Sequence, residues 1–327
     1  MSKPTPAADV PVREATRRPS LANRFEYGSL RAIIGVLGAV RWKRAVRAGA
    51  AFGRLAHHPL GIRRNVVESQ IAAAFPELGE PEVQAMARGA FEHLGRVTVE
   101  TALISRIDPG WVLELFATVD GWDTVERLRA QGRGLIMVTG HLGNWELGGA
   151  YIAARGVPLD VVVRRMGNPL FDGYLTRTRS RLGMAVVRDR DAVRRTPRTL
   201  RDGGAVAFLT DQAGLNLAST FVPFFGRPAK TPRGPAVFAL RLEAPVVFGT
   251  ALRLPDGRYH LAFEEVPVHR TGDRERDVDE LVANYSRILE RWVREAPEQY
   301  FWHHRRWKRQ PDDTPAALRD PVEAGRR

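Results

Sequence analysis

The chain of 327 residues contains no cysteine. That excludes disulfides, thiolate metal sites and a cysteinyl acyl-enzyme. It has no G-x-S-x-G elbow, no P-loop, no G-x-G-x-x-G and no H-E-x-x-H, so a serine acyl-enzyme, P-loop nucleotide chemistry and zincin chemistry lose their usual signatures. His57-His58 and His303-His304 are adjacent pairs. Neighbouring side chains point apart, so neither pair suits a metal, and no metal or other cofactor is expected. A membrane span needs about 20 apolar residues, whereas the run Ala32 to Val40 stops at Arg41-Trp42-Lys43. The polar stretch ahead of it does not read as a signal peptide either. Asp and Glu are absent from Tyr27 to Val67, where eight Arg and Lys residues lie. With a formal net charge of +13, this points to an anionic partner: a membrane surface, an acidic carrier protein or nucleic acid. An interfacial helix with a basic, Trp-bearing flank fits residues 32–43; a buried amphipathic helix with a solvated basic rim is the alternative.

The richest motif is His141-Leu142-Gly143-Asn144-Trp145-Glu146, directly after the apolar run Gly134 to Gly140. A buried strand thus delivers a histidine and a carboxylate to its C-terminal end, where open α/β sheets bind ligands. Imidazole can take a proton from a hydroxyl, and a carboxylate can fix its tautomer. His141 and Glu146 can meet only if the first lies in the turn and the second in the first helical turn. Gly143 permits such a turn and Asn144 caps the helix. Otherwise Glu146 simply complements the helix dipole. Asn144, or a backbone N–H near Gly143, is a candidate for steadying an oxyanion.

Asp211-Gln212 ends a second apolar strand, and Asp211 is a reserve partner for His141. The loop holding Phe221, Phe224, Phe225, Lys230 and Arg233 is too apolar to be simply solvated. It either walls an acyl tunnel with a cationic mouth or packs into the core. Arg164, at a third strand end, and Arg179 have the fork geometry that suits phosphates and carboxylates; a solvated basic face is the plainer reading. Residues 298–308 interleave aromatics with cations, which suits a membrane interface, nucleic acid or a C-terminal clasp equally.

The coarse layout is α/β. Residues 1–22 read as a disordered tail, 23–110 as a helical region that associates with a membrane, 111–310 as an α/β core and 311–327 as a second tail. Strands are predicted at 135–139, 157–164, 205–210, 245–252 and 259–266. Helices are predicted at 28–58 (one or two), 81–106, 145–155, 169–182, 190–201, 234–242 and 277–295. The alternation implies a mixed, mostly parallel central sheet flanked by helices.

His141 to Glu146 resembles the H-x4-D/E motif of glycerolipid acyltransferases, in the form of the bacterial lipid A biosynthesis lauroyl/myristoyl acyltransferases. Asn168-Pro169-Leu170, between Arg164 and Arg179, resembles that family's second block. Asp211-Gln212, Phe221 to Gly226 and Thr231 to Pro235 resemble its third, and Ala296 to Lys308 its C-terminal signature. The resemblance runs from about residue 25 to 311 and implies a monotopic membrane enzyme without a metal. It implies an acyl thioester donor, acyl carrier protein or coenzyme A, and a membrane glycolipid acceptor. By the same likeness His141 and Glu146 are the catalytic pair, supported by Asn144 and Asp211. Arg164, Asn168, Arg179, Gln212, Phe221, Phe224, Phe225 and Arg233 line the substrate site. A lipid A precursor is the expected acceptor, and the cytoplasmic face of the bacterial inner membrane the expected location. Phosphatidylinositol mannoside acyltransferases share much of the pattern. A nucleic-acid-binding protein or a non-catalytic membrane scaffold would leave the strand-end acid and base residues unexplained, so no nucleic acid is expected.

Overall fold

A computed structural model describes residues 18–212 and 217–324. The expected N-terminal tail lies outside the described residues as far as residue 17. Five helices come first: α1 (Leu21–Gly38), α2 (Trp42–His57), α3 (Arg64–Ala74), α4 (Glu80–Leu103) and α5 (Pro109–Glu114). Then follow β1 (Phe116–Asp120), α6 (Trp122–Arg129), β2 (Leu135–Thr139), α7 (Trp145–Ala154), β3 (Leu159–Val163), α8 (Pro169–Arg181), β4 (Met184–Arg188), α9 (Ala192–Arg201) and β5 (Ala205–Leu209). The chain continues through β6 (Ser219–Phe224), β7 (Arg227–Pro232), α10 (Gly234–Arg241), β8 (Val246–Arg253), β9 (Tyr259–Glu265), α11 (Arg274–Glu295) and α12 (Pro321–Ala324).

Seven strands form one sheet in the order β1-β9-β8-β2-β5-β3-β4. The pairs from β8 to β4 are parallel, β8 and β9 are antiparallel, and β1 lies parallel to β9. This is the mixed, mostly parallel sheet expected. β2 is central and its residues Leu135 to Val138 are buried, as a strand covered on both faces should be. Its even and odd positions feed two cores. Ile136 and Val138 face α4, α10 and α11; Leu135 and Met137 face α7.

The predicted helical stretch at 28–58 is two helices, broken at Ala39 to Arg41. α2 and α4 touch backbone to backbone through glycines: a Cβ on Gly53 would fall 2.0 Å from the Phe91 carbonyl oxygen, and one on Gly95 2.0 Å from that of Gly49. The α11 stripe is as expected, with Val278, Leu281, Val282, Tyr285, Leu289 and Val293 buried. The segment after 310 is not a loose tail over its described part. Arg305 pairs with Asp320, and Val322 is buried.

Among the described residues, no helix is long and apolar enough to cross a membrane. Yet α1, α2 and the turn after them expose Phe25 (79%), Val36 (71%), Phe52 (58%) and Leu60 (66%), the last three inside the acid-free basic segment Tyr27 to Val67.

Candidate active site

The end of β2 is shaped by close contacts. A Cβ on Gly140 would meet Leu289 at 2.6 Å, and Gly143 (φ 62°) passes so near Ala251 that a Cβ would fall 2.0 Å from its carbonyl oxygen. Only glycine fits both the conformation and the space. The turn is held on every side. Phe301 donates its N–H to the His141 carbonyl (2.9 Å), Gly143 donates to Gln299 (3.0 Å) and Asn144 to Ala251 (2.8 Å). His93 Nε2 lies 3.0 Å from the Gly143 carbonyl oxygen. Leu142 and Tyr300 form an antiparallel bridge, so the C-terminal segment clasps the His141 turn.

β5 lies beside β2 and delivers Asp211 to the same edge. The Asp211 carboxylate takes the His141 backbone N–H on Oδ2 (2.9 Å) and lies 2.7 Å from Nδ1 through Oδ1. A carboxylate only accepts, so Nδ1 carries a proton, and in the neutral ring the lone pair lies on Nε2. Burial pushes the Asp211 carboxyl up. The charge and hydrogen bonds of His141, helped by Arg306, outweigh that and hold it at about 2. Gln212 Nε2 sits 3.2 Å from Nδ1. The imidazole packs edge-on against Trp145 (4.7 Å between ring centres) and lies 5.9 Å from Phe301.

Glu146 does not occupy the place expected of it. Its carboxylate, in the first turn of α7, takes a two-pronged bond from Arg179 Nε (2.9 Å) and Nη2 (2.5 Å). Arg179 therefore serves a carboxylate of its own chain rather than an open anion site. Asn144 is fully buried; its Oδ1 caps Leu147 (3.1 Å) and its Nδ2 donates to Glu100 (3.0 Å). With Gly143 N–H also bonded, neither expected oxyanion donor is available. The N–H groups of Trp145 and Glu146, which open α7, remain as the nearest candidates.

Other expected substrate contacts are structural. Asn168 caps α8 and donates to Asn23 O (3.0 Å) and Glu26 (2.9 Å), fastening α1. Phe224 and Phe225 pack with Phe75, Tyr300, Trp302 and Trp307 in the core, so they wall no tunnel, while Phe221 is exposed on the β6–β7 hairpin. Arg233 pairs with Glu275 (2.8 Å) and Asp279 (3.4 Å) of α11. Arg164 lies exposed just past the end of β3.

An apolar cavity lies instead between α7 and the sheet. It is lined by Met137, Ile152, Val161, Met184, Leu261 and Phe263. Gly148 and Gly149 let α7 come close to the sheet beside it, and Glu146 and Arg179 supply its charged lining. Trp145 both lines it and packs on His141. The sequence signal was present in Gly148-Gly149, but nothing local said which element they face.

Three histidines near this turn are held neutral. Burial takes His93 from 6.5 to about 3, and His303 and His304 to about 4. The unfolded chain binds protons that the folded chain refuses, so stability falls as pH drops below 6.5. The expected slope is about 1.4 kcal/mol per pH unit for each such histidine down to roughly pH 4. Urea unfolding at pH 7 and pH 5 checks this; equal stabilities would contradict it.

The model of the bacterial lipid A biosynthesis acyltransferase family matches residues 27–309. The chain is 29% identical to the lipid A biosynthesis palmitoleoyltransferase of Escherichia coli, over 80% of this chain and 84% of that one. It is equally 29% identical to the lauroyltransferase of the same organism, over 83% and 87%. A phosphatidylinositol mannoside acyltransferase of Mycobacterium tuberculosis matches at 25%, over 41% and 43%.

Proposed function

The chain belongs to the bacterial lipid A biosynthesis acyltransferase family, and from that premise we propose that it moves a fatty acyl group from a thioester donor to a hydroxyl of a membrane glycolipid. The donor is acyl carrier protein or coenzyme A, and the acceptor a lipid A precursor, as the names of its relatives favour. The observation that carries this reading is His141, held through Nδ1 by Asp211 and packed on Trp145, which lines an apolar cavity.

His141 Nε2 takes the proton of the acceptor hydroxyl as its oxygen attacks the thioester carbonyl. Asp211 holds the ring and stabilises the imidazolium. The tetrahedral adduct then expels the thiolate, which receives the proton from His141. General-base help of this kind is worth about 10²–10⁴ in rate. The acyl chain lies between α7 and the sheet, and Trp145 and Glu146 N–H face the developing oxyanion. Arg164 is the candidate for a phosphate of the acceptor or of the phosphopantetheine arm.

The exposed Val36 of α1 and Phe52 and Leu55 of α2, inside the acid-free basic segment, suit shallow insertion into an anionic bilayer. We read the enzyme as peripheral, on the cytoplasmic face of the inner membrane, and these side chains support its peripheral attachment. The partial match to a phosphatidylinositol mannoside acyltransferase keeps a second acceptor class open with the same chemistry.

Purified protein given a long-chain acyl thioester and a dispersed glycolipid is expected to transfer the acyl group. Release of free fatty acid alone would count against the reading. Gly149→Leu tests the chain's place, because even a Cβ there would lie 2.9 Å from Met184 Sδ. The variant is expected to lose about tenfold or more on long donors and keep short ones, since overfilling a packed site costs about 1–3 kcal/mol. An unchanged chain-length profile would move the acyl chain out of this cavity.

A further inference from the structure

Glu100 of α4 is 0% exposed, and three donors converge on its carboxylate. Asn144 Nδ2 donates to it at 3.0 Å and the Tyr259 hydroxyl at 2.6 Å, and Arg253 makes the ion pair through Nη2. A buried carboxylate needs a compensating charge as well as donors. Here Arg253 of β8 supplies the charge, and Tyr259 of β9, its hydroxyl kept protonated by burial, supplies a neutral donor. Arg253 is held in turn. Its Nη1 donates to the Gly257 carbonyl (3.0 Å), and its backbone exchanges two bonds with the Gln299 side chain (2.8 and 2.9 Å).

The link from this cluster to the site runs through one side chain. An asparagine amide can present either its oxygen or its nitrogen to a neighbour, whereas a carboxylate accepts only. Glu100 therefore draws the Asn144 NH₂ towards itself and turns Oδ1 to the Leu147 N–H (3.1 Å), which makes the cap of α7. The Asn144 N–H goes to Ala251 and the Gly143 N–H to Gln299. With these three taken, the N–H groups of Trp145 and Glu146 are the ones left open at the head of α7. The same turn carries the Trp145 ring that packs on His141 and the carboxylate that binds Arg179. α4 grips the motif twice on one face: His93 meets the Gly143 carbonyl, and Glu100, about two helical turns further on, meets Asn144.

We propose that Glu100, charge-balanced by Arg253, is a positioning residue for the transfer: through the Asn144 amide it sets the first turn of α7 against His141. This rests on the reading of His141 as the general base and of the α7 head as facing the oxyanion. Once Glu100 no longer dictates which end of the amide faces it, Asn144 can turn, the cap opens and the first turn of α7 shifts. The acyl chain still binds deeper along α7, so the loss falls on the chemical step rather than on binding.

The test measures kcat and KM of the full-length enzyme for wild type, Glu100→Gln, Asn144→Ser and the double variant, each beside a thermal melt, with His141→Ala as control. Glu100→Gln is expected to lower kcat by about 10- to 100-fold, as a small misplacement of reacting groups does, with KM within about twofold of wild type. A serine caps through its own hydroxyl and needs no carboxylate to orient it. Adding Glu100→Gln to Asn144→Ser is therefore expected to cost less than about threefold more, because the two residues act as one unit. Losses that simply multiply in the double variant, or a raised KM with kcat unchanged, would overturn the proposal. If Glu100→Gln does not fold, Glu100→Leu with Arg253→Met removes both charges together. A folded double variant with kcat still down about tenfold or more supports the proposal, and a wild-type kcat shows that the pair only packs and overturns it. Full activity in His141→Ala would instead overturn the general-base reading itself.

Discussion

Asp211→Asn is expected to lower kcat by about 10²–10⁴ while the protein stays folded, because orientation and charge stabilisation of a general base are lost together. Asp211 takes both the backbone N–H and the Nδ1–H of His141. An amide can replace one of those acceptors. It cannot stabilise the imidazolium, and if its NH₂ faces the ring it reverses the tautomer and blocks Nε2 as the base. Single-turnover rates with an acyl thioester, beside a thermal melt, measure the effect. A loss below about fivefold would leave His141 without the partner that general-base catalysis needs.

Glu146→Ala is expected to act first on stability. The Glu146–Arg179 pair is mostly buried. Removing one member strands a buried charge, which costs about 3–5 kcal/mol. Burial opposes the Arg179 cation, and the charge and hydrogen bonds of Glu146 raise its pKa above the ordinary value. The alanine variant removes that compensation. Replacing both partners, as in Glu146→Leu with Arg179→Met, is expected to recover most of the stability, since a well-packed apolar pair is often neutral or better. Denaturant unfolding of the two variants decides it. Activity falls in both, because the pair lines the acyl cavity, but the acid limb of the pH profile is expected to stay in place. A limb that moved with Glu146 would return the orienting role to it.

The contrast between these two carboxylates shows what the sequence could and could not convey. The five-position spacing of His141 and Glu146 is local, and the turn and N-cap it needs were readable from Gly143 and Asn144. The pairing with Asp211 depends on β5 lying beside β2, and strand order is not written in any local pattern. Asp211 still announced itself as an acid at a strand end. β1 and β4 went unpredicted because both are five-residue edge strands with mixed burial. The β6–β7 hairpin hides behind Pro223, Pro228 and Pro232, which argue against a strand wherever a ladder needs every N–H; a two-stranded ribbon tolerates them. α3, which supplies Val67, Ile71 and Gln70, also went unpredicted.

Phe224 and Phe225 were ambiguous for a different reason. An apolar loop can wall a ligand or fill a core, and only partners distant in the chain decide. Here Trp302 and Trp307, from the aromatic and basic C-terminal segment, fill the space around them. That segment proved to be the clasp among its three possible readings. Its backbone holds the His141 turn.

The most direct test of the central claim is lipid mass spectrometry of cells with and without this protein, complemented by wild type or by His141→Ala. The expected result is one glycolipid species lighter by a single acyl group in the deficient cells, restored by wild type and not by the alanine variant. An unchanged lipid profile, or full restoration by His141→Ala, would contradict it.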